Sequence, residues 1–438
     1  MNVYKISIYT LLVIVLGCKP KFTKPKLTSG EIDATTFVSL GGSIAAGYSN
    51  GGVYYQAQKN SLSNLLATQL QLIGSSNFKQ PYVAESSIGI GNANNAPSIL
   101  SNRTDCQGVV SIGPVKIAAQ GDVSIFSTNI FASQGPFNNL SVPDLKVIDA
   151  DINGYNNPFY VRMASSNSSS ILSDAILKKP TFFSVMLGLS DVLNFALKGG
   201  TADFVTPVAG SAGVGFDASI TNVLNKLTAN GAKGIVANIP SIKTMAYFNT
   251  IYYNSLKLDN ATATSLTNFY AVLSPTIQFN EGNNGFVIED INQPLGYRQA
   301  VDGELILLNV PLDSIKCNKM GSLIPIPDKY VLTLSEIATI ENAIASYNVI
   351  LKNLANSKKL AFVDVNEFFI KVKAGFVYNG VAVNASFVSG GFYSLDGLNL
   401  TPRGNALLAN EFINAINSTY QSNIPQLVAT SYSGIIFP

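Results

Sequence analysis

Four short, mainly apolar runs, set apart by helical stripes, constrain this chain most. They are TFVSL (36–40), FFSVML (182–187), GIVANI (234–239) and LAFVDV (360–365). None shows the strict alternation of a half-solvated strand, so each reads as a strand buried on both faces, as in a parallel sheet. Between them, apolar residues recur at helical spacing: Leu62, Leu65, Leu66 and Leu70, then Phe216, Ile220, Val223, Leu224 and Leu227, closed by Asn230-Gly231. Thr333 and Glu336 form a capping-box pattern ahead of Ile337, Ile340, Ile344, Tyr347, Leu351 and Leu354. Pro402 opens a last stripe of Ala406, Ala409, Ile413 and Ile416. Strand and helix in alternation predict a right-handed, doubly wound α/β fold. The expected form is a three-layer α/β/α sandwich with a mainly parallel, flavodoxin-like sheet. Its ligand site belongs at the C-terminal strand ends.

Two stretches break the alternation. Residues 74–135 are rich in Asn, Ser and Gly, and residues 246–330 hold a strand-like ELILLNV in irregular sequence. Both contain aromatic and apolar residues, which predicts insertions with a role rather than linkers. The expected organisation is one decorated domain over 36–420 and a tail over 421–438.

The N-terminus reads as an export segment over 1–17, with Lys5 ahead of an apolar run from Ile6 to Leu16. That run is short for a membrane span. It ends in Val15-Leu16-Gly17-Cys18, which resembles a bacterial lipobox, implying a lipidated Cys18. The expected location is the cell envelope, most simply the outer membrane, with the membrane as partner through the acyl chains. Residues 18–35, with Lys19, Lys21, Lys24 and Lys26, read as a solvated basic tether.

The chain of 438 residues carries a formal charge of only +2, which gives no case for nucleic acid as a partner. It contains no histidine, so His-dependent catalysis and His-ligated metal sites are excluded, and no cofactor is expected. Cys106 and Cys317 lie in the polar loops RTDCQG and SIKCNKMG. Two readings stay open for them, a disulfide between loops and two free thiols.

The first apolar run leads directly into LGGSIAAGYSNG (40–51), where a Gly-Gly turn would present Ser43 at the sheet's C-terminal edge. Three later stretches belong with it: NNLSVPDLKV (138–147), SVMLGLSDVLNF (184–195) and FYSLDGLNLTPRGNALLANEF (392–412). In this order they resemble the blocks of the SGNH/GDSL hydrolase family of esterases and lipases. GIVANIPSIKTMAYF (234–248) and IPIPDKYVLTLSE (324–336) are similar to segments of its exported bacterial lipoprotein branch. The resemblance spans roughly residues 31–417.

The resemblance implies a serine nucleophile, a histidine base oriented by an aspartate three residues before it, and an oxyanion hole. The nucleophile position is Ser43 and the acid position Asp396, but the histidine position holds Asn399. Asp144 stands at the oxyanion glycine, Ser190 at the oxyanion asparagine, and Gly42 where the family has Asp. An amide cannot take a proton, and losing a triad member costs about 10⁴–10⁶ in turnover. The expectation is an impaired or inactive member that binds an ester, acyl or glycan ligand in the inherited cleft. Two alternatives stand beside it. One is an active esterase with a non-His base, for which Asp191, Asp396 and Lys243 are candidates. The other is an envelope scaffold whose insertions contact an outer-membrane protein.

Overall fold

The structure is a computed structural model that describes residues 26–438. Cys18, the export segment and most of the lysine tether lie outside the described residues.

The sheet has four parallel strands, β1 (Phe37–Gly41), β2 (Phe182–Met186), β3 (Lys233–Ala237) and β4 (Ala361–Val363), side by side in that order. The register pairs Ser39 with Ser184 and Ser184 with Ile235. A fifth row lies on the free edge of β1, where Leu140 N–H donates to Ser39 O and Val142 N–H to Gly41 O, both at 2.9 Å. It carries the second sequence block to the same sheet edge as the first.

The helices named below are α1 (Ser43–Ala46), α2 (Leu62–Gln71), α3 (Ile171–Leu177), α4 (Ser190–Ala196), α5 (Phe216–Thr228), α6 (Leu334–Ser357) and α7 (Pro402–Tyr420). On one face of the sheet α2 packs against α7, and on the other α3, α5 and α6 pack together. The apolar stripes dictate this: Leu62, Leu65, Leu66 and Leu70 of α2 and Ala406, Ala409, Ile413 and Ile416 of α7 are all buried. Across the sheet, Phe216 of α5 stacks on Tyr347 of α6 with ring centres 3.9 Å apart. The capping box forms, with Thr333 N–H donating to Glu336 Oε2 at 2.8 Å. Among the described residues no helix is long and apolar enough to cross a membrane.

The tether reading needs correction at its C-terminal end. Ile32 and Ala34 are buried, and Glu31 N–H donates to Tyr420 O at 2.8 Å. Two apolar residues spaced by two find a hydrophobic slot beside α7, and that outweighs the freedom of a spacer.

The insertions are ordered. The first holds a hairpin, Ser98–Thr104 paired with Val110–Lys116, which the sequence pattern did not predict. The second has its own small core around Phe286, Ile288, Ile306 and Ile326. Of ELILLNV only Leu305–Ile306 is strand. Its Glu304 is buried and held by Arg298, whose Nη2 lies 2.6 Å from Oε1. A disulfide joins Cys106, at the hairpin tip, to Cys317 of the second insertion, 211 residues away.

Candidate functional site

The four sequence blocks meet at the C-terminal edge of the sheet, around a cleft of about 700 Å³. Ser43 stands there because β1 ends in a turn that only small residues allow. A Cβ on Gly41 would sit 2.6 Å from Ala45 Cβ, and Gly47 closes α1 with φ +83°. Ser43 is thereby the first residue of α1, with Gly42 as cap. It is not the helix-capping residue itself.

Asp144 lies beside it. Its backbone N–H points at Ser43 Oγ across 3.4 Å, so it stands close to where an oxyanion on an acylated Ser43 would form. It holds φ +62°, the left-handed region natural to glycine. Asn92 of the first insertion donates from Nδ2 to its Oδ2 at 2.5 Å, which turns the carboxylate toward the insertion. Burial raises the Asp144 carboxyl above the ordinary range, and the Asn92 hydrogen bond offsets part of that rise.

Ser190 opens α4 and lines the same cleft, with its Oγ 3.6 Å from where a Cβ on Gly42 would stand. Its neighbour Asp191 turns the other way. Asp191 is fully buried and accepts from Val147 N–H at 2.8 Å, so it is not a base for Ser43. Burial pushes its carboxyl up to about 7. Lys243 is exposed and outside the cleft.

Asp396 and Asn399 occupy a tight loop between Tyr393 and Leu400, which pair across it. Asp396 Oδ1 accepts the N–H groups of Leu398 and Asn399, and Oδ2 accepts Gly51 N–H at 3.0 Å and Asn399 Nδ2 at 3.1 Å. Asn399 is buried and its amide faces the cleft. The loop is tied to the serine loop, since Asn50 N–H donates to Ser394 Oγ and Asn50 Oδ1 accepts from Leu395 N–H. Among the described residues Ser43 Oγ has one hydrogen-bond partner, the Asp144 N–H, and no base.

The chain shows no match to a protein-family model or to a curated protein. Among solved structures it is similar to a mutant of an acetyl-xylooligosaccharide esterase from Geobacillus Stearmophilus, at 10% identity over 88% of this chain and 96% of that one, with a TM-score of 0.36. It is also similar to an α/β hydrolase enzyme from the metagenome of Lake Arreo, Spain, at 10% identity, 89% and 97% coverage and a TM-score of 0.34.

The insertions supply what sequence reasoning missed. The hairpin brings Arg103, Pro114 and Lys116 to the cleft, and the second insertion brings Tyr247, Leu308 and Leu312. The Lys116 ammonium lies 3.2 Å from where a Cβ on Gly51 would stand. Burial lowers its pKa, while the Asp396 charge works the other way. Leu145, Leu187, Leu193, Leu197 and Ile239 make much of the remaining wall. No local signal marks Lys116 or Asn92, because their place depends on how 62 residues of insertion fold back; that count is the span 74–135.

Proposed function

We propose that this chain is an SGNH/GDSL-hydrolase-type protein of the bacterial envelope. In this reading it is anchored through a lipidated Cys18, hydrolyses esters poorly or not at all, and holds an acyl-bearing ligand in the cleft. One observation carries the reading: Asn399 donates to Asp396 Oδ2 where the family resemblance calls for a base. Asn399 offers Ser43 no proton acceptor of useful basicity, so the alcohol stays protonated. The leucine-rich wall favours an acyl chain over a glycan, which would need more polar groups and aromatic platforms.

The test is incubation of the soluble domain with aryl esters of two to twelve carbons (about that range suits a cleft of this size). We expect no turnover above that of Ser43→Ala, and a rise in melting temperature with the longer esters. Turnover that Ser43→Ala abolishes would refute the binding reading. Such a result would favour the alternative esterase, with Lys116 as the base; Lys116→Ala should then remove the same activity. The position of Lys116 against Gly51, with burial lowering its pKa, is what favours that second reading.

A further inference from the structure

The hairpin of the first insertion brings two cations to the cleft, Arg103 and Lys116, and the disulfide at its tip ties it to the second insertion. Arg103 is half-buried. Its Cδ lies 2.9 Å from where a Cβ on Gly113 would stand, so the stem lies over a glycine of the facing strand. Lys116 reaches the serine loop, with its ammonium against Gly51.

Neither cation is answered from within the protein. Among the described residues neither makes an ion pair or a side-chain hydrogen bond. The two carboxylates of the cleft are engaged elsewhere: Asp396 accepts four N–H groups, and Asp144 accepts from Asn92. Partial burial lowers the pKa of Lys116, as it does for Lys178 and Lys373. Lys178 donates to Pro136 O at 3.4 Å and Lys373 to Lys243 O at 2.8 Å, whereas Lys116 donates to nothing. A partly desolvated ammonium without a partner is costly, and an anion bound beside it removes that cost.

Resting on the reading of the cleft as an acyl site, we propose that its ligand ends in a carboxylate, held by Lys116 and Arg103, with the chain along Leu187, Leu193 and Leu197. A carboxylate has two oxygens, enough for one ammonium and one guanidinium. A single negative charge suits this place better than a phosphate dianion, because Asp144 and Asp396 stand in the same cleft and repel added charge. The ligand class is then a free fatty acid rather than an ester. Such a ligand holds no ester bond for Ser43 to cleave, which agrees with the missing base.

The test is a ligand-observed NMR titration of the full chain at neutral pH with octanoate, its uncharged near-isostere octanamide, and octyl phosphate. Octanoate should bind more tightly than octanamide, by about tenfold for a partly exposed charge-assisted pair. Raising the salt from about 0.05 to about 0.5 M should shrink that preference, a readout that needs no variant. Lys116→Met and Arg103→Met should each reduce it, and the double variant should remove it. Leu193→Trp, which narrows the cleft, should weaken all three compounds. Equal binding of octanoate and octanamide, or a preference that the double variant keeps, would overturn the carboxylate proposal and leave the acyl reading standing. Tighter binding of octyl phosphate than of octanoate would do the same. Binding of none of the three, or binding that survives Leu193→Trp, would overturn both.

Discussion

The Asn399 carboxamide donates from Nδ2 to Asp396 Oδ2 across 3.1 Å. The acid is thus fully hydrogen-bonded: four N–H groups converge on its two oxygens, and none belongs to a group that can relay a proton. Asn399, the side chain paired with Asp396 in this loop, is an amide and cannot act as a base.

Restoring the base is the sharpest test of that statement. Asn399→His places an imidazole N–H against the same carboxylate oxygen. General-base catalysis is worth about 10²–10⁴, and the altered Gly42, Asp144 and Ser190 hold the gain to the lower end. We expect aryl-ester hydrolysis to rise about tenfold to 10²-fold above background, and to vanish in the double variant with Ser43→Ala. A rate that does not move would mean that the nucleophile and oxyanion positions are disabled as well.

Asp144 makes a second prediction. Its left-handed backbone is tolerated at a cost that glycine would not incur, about 1 kcal/mol. Asp144→Gly should therefore stabilise the fold slightly, offset in part by the lost Asn92 contact at 2.5 Å. In an Asn399→His background it should raise turnover further, because it removes a half-buried carboxyl near the developing oxyanion. Differential scanning calorimetry and ester assays on the two backgrounds check both halves.

Asp191 predicts a pH dependence. Its folded pKa, pushed up to about 7 by burial, lies above the unfolded value of about 3.9. The native state keeps this proton where the unfolded chain has lost it, so the contribution to stability is present below pH ~4 and is lost as pH rises through ~7. Asp191→Asn keeps an acceptor for Val147 N–H and offers a donor to Thr206 Oγ1, which is buried without a partner. The variant should be close to neutral at pH 4 and more stable than the parent at pH 8, by as much as about 4 kcal/mol for three pK units. Denaturant melts of the pair at both pH values decide it. A difference that does not change with pH would contradict the burial argument.

The Cys106–Cys317 disulfide ties together two insertions that both line the cleft. Reduction, or Cys106→Ser with Cys317→Ser, should cost about 2–4 kcal/mol in the stability of that roof while the parallel sheet persists. Hydrogen exchange should accelerate over 98–116 and 305–325 and stay slow in β1 to β4. Acyl-ester protection against melting should weaken in the same variant.

The layered fold was legible because its signal is local. Strands buried on both faces are mainly apolar, as FVSLG is, and the stripe of α6 repeats at helical spacing within a helix of 24 residues. The serine turn and the Asp396 loop were legible for the same reason, since glycines and caps act within a few residues. The hairpin at 98–116 escaped notice because its apolar residues do not mark its buried face: Ile99, Val110 and Ile112 are exposed while Ser98 is buried. The solvated reading of residues 31–35 failed because Ile32 and Ala34 join the main core, beside a backbone bond from Glu31 to Tyr420 nearly 390 residues downstream.

By itself the sequence determined that no histidine can act, that Ser43 follows a strand across a Gly-Gly turn, and that Asp396 and Asn399 share one turn. These follow from composition and short-range stereochemistry. Only the tertiary structure decided that Asp144 aims its N–H at Ser43, that Asp191 faces a buried wall, and that Lys116 enters the cleft. It also decided that Cys106 and Cys317 are bonded rather than free. Each of these depends on where distant segments come to rest on the sheet, and that is fixed by packing of the whole chain rather than by any stretch of it.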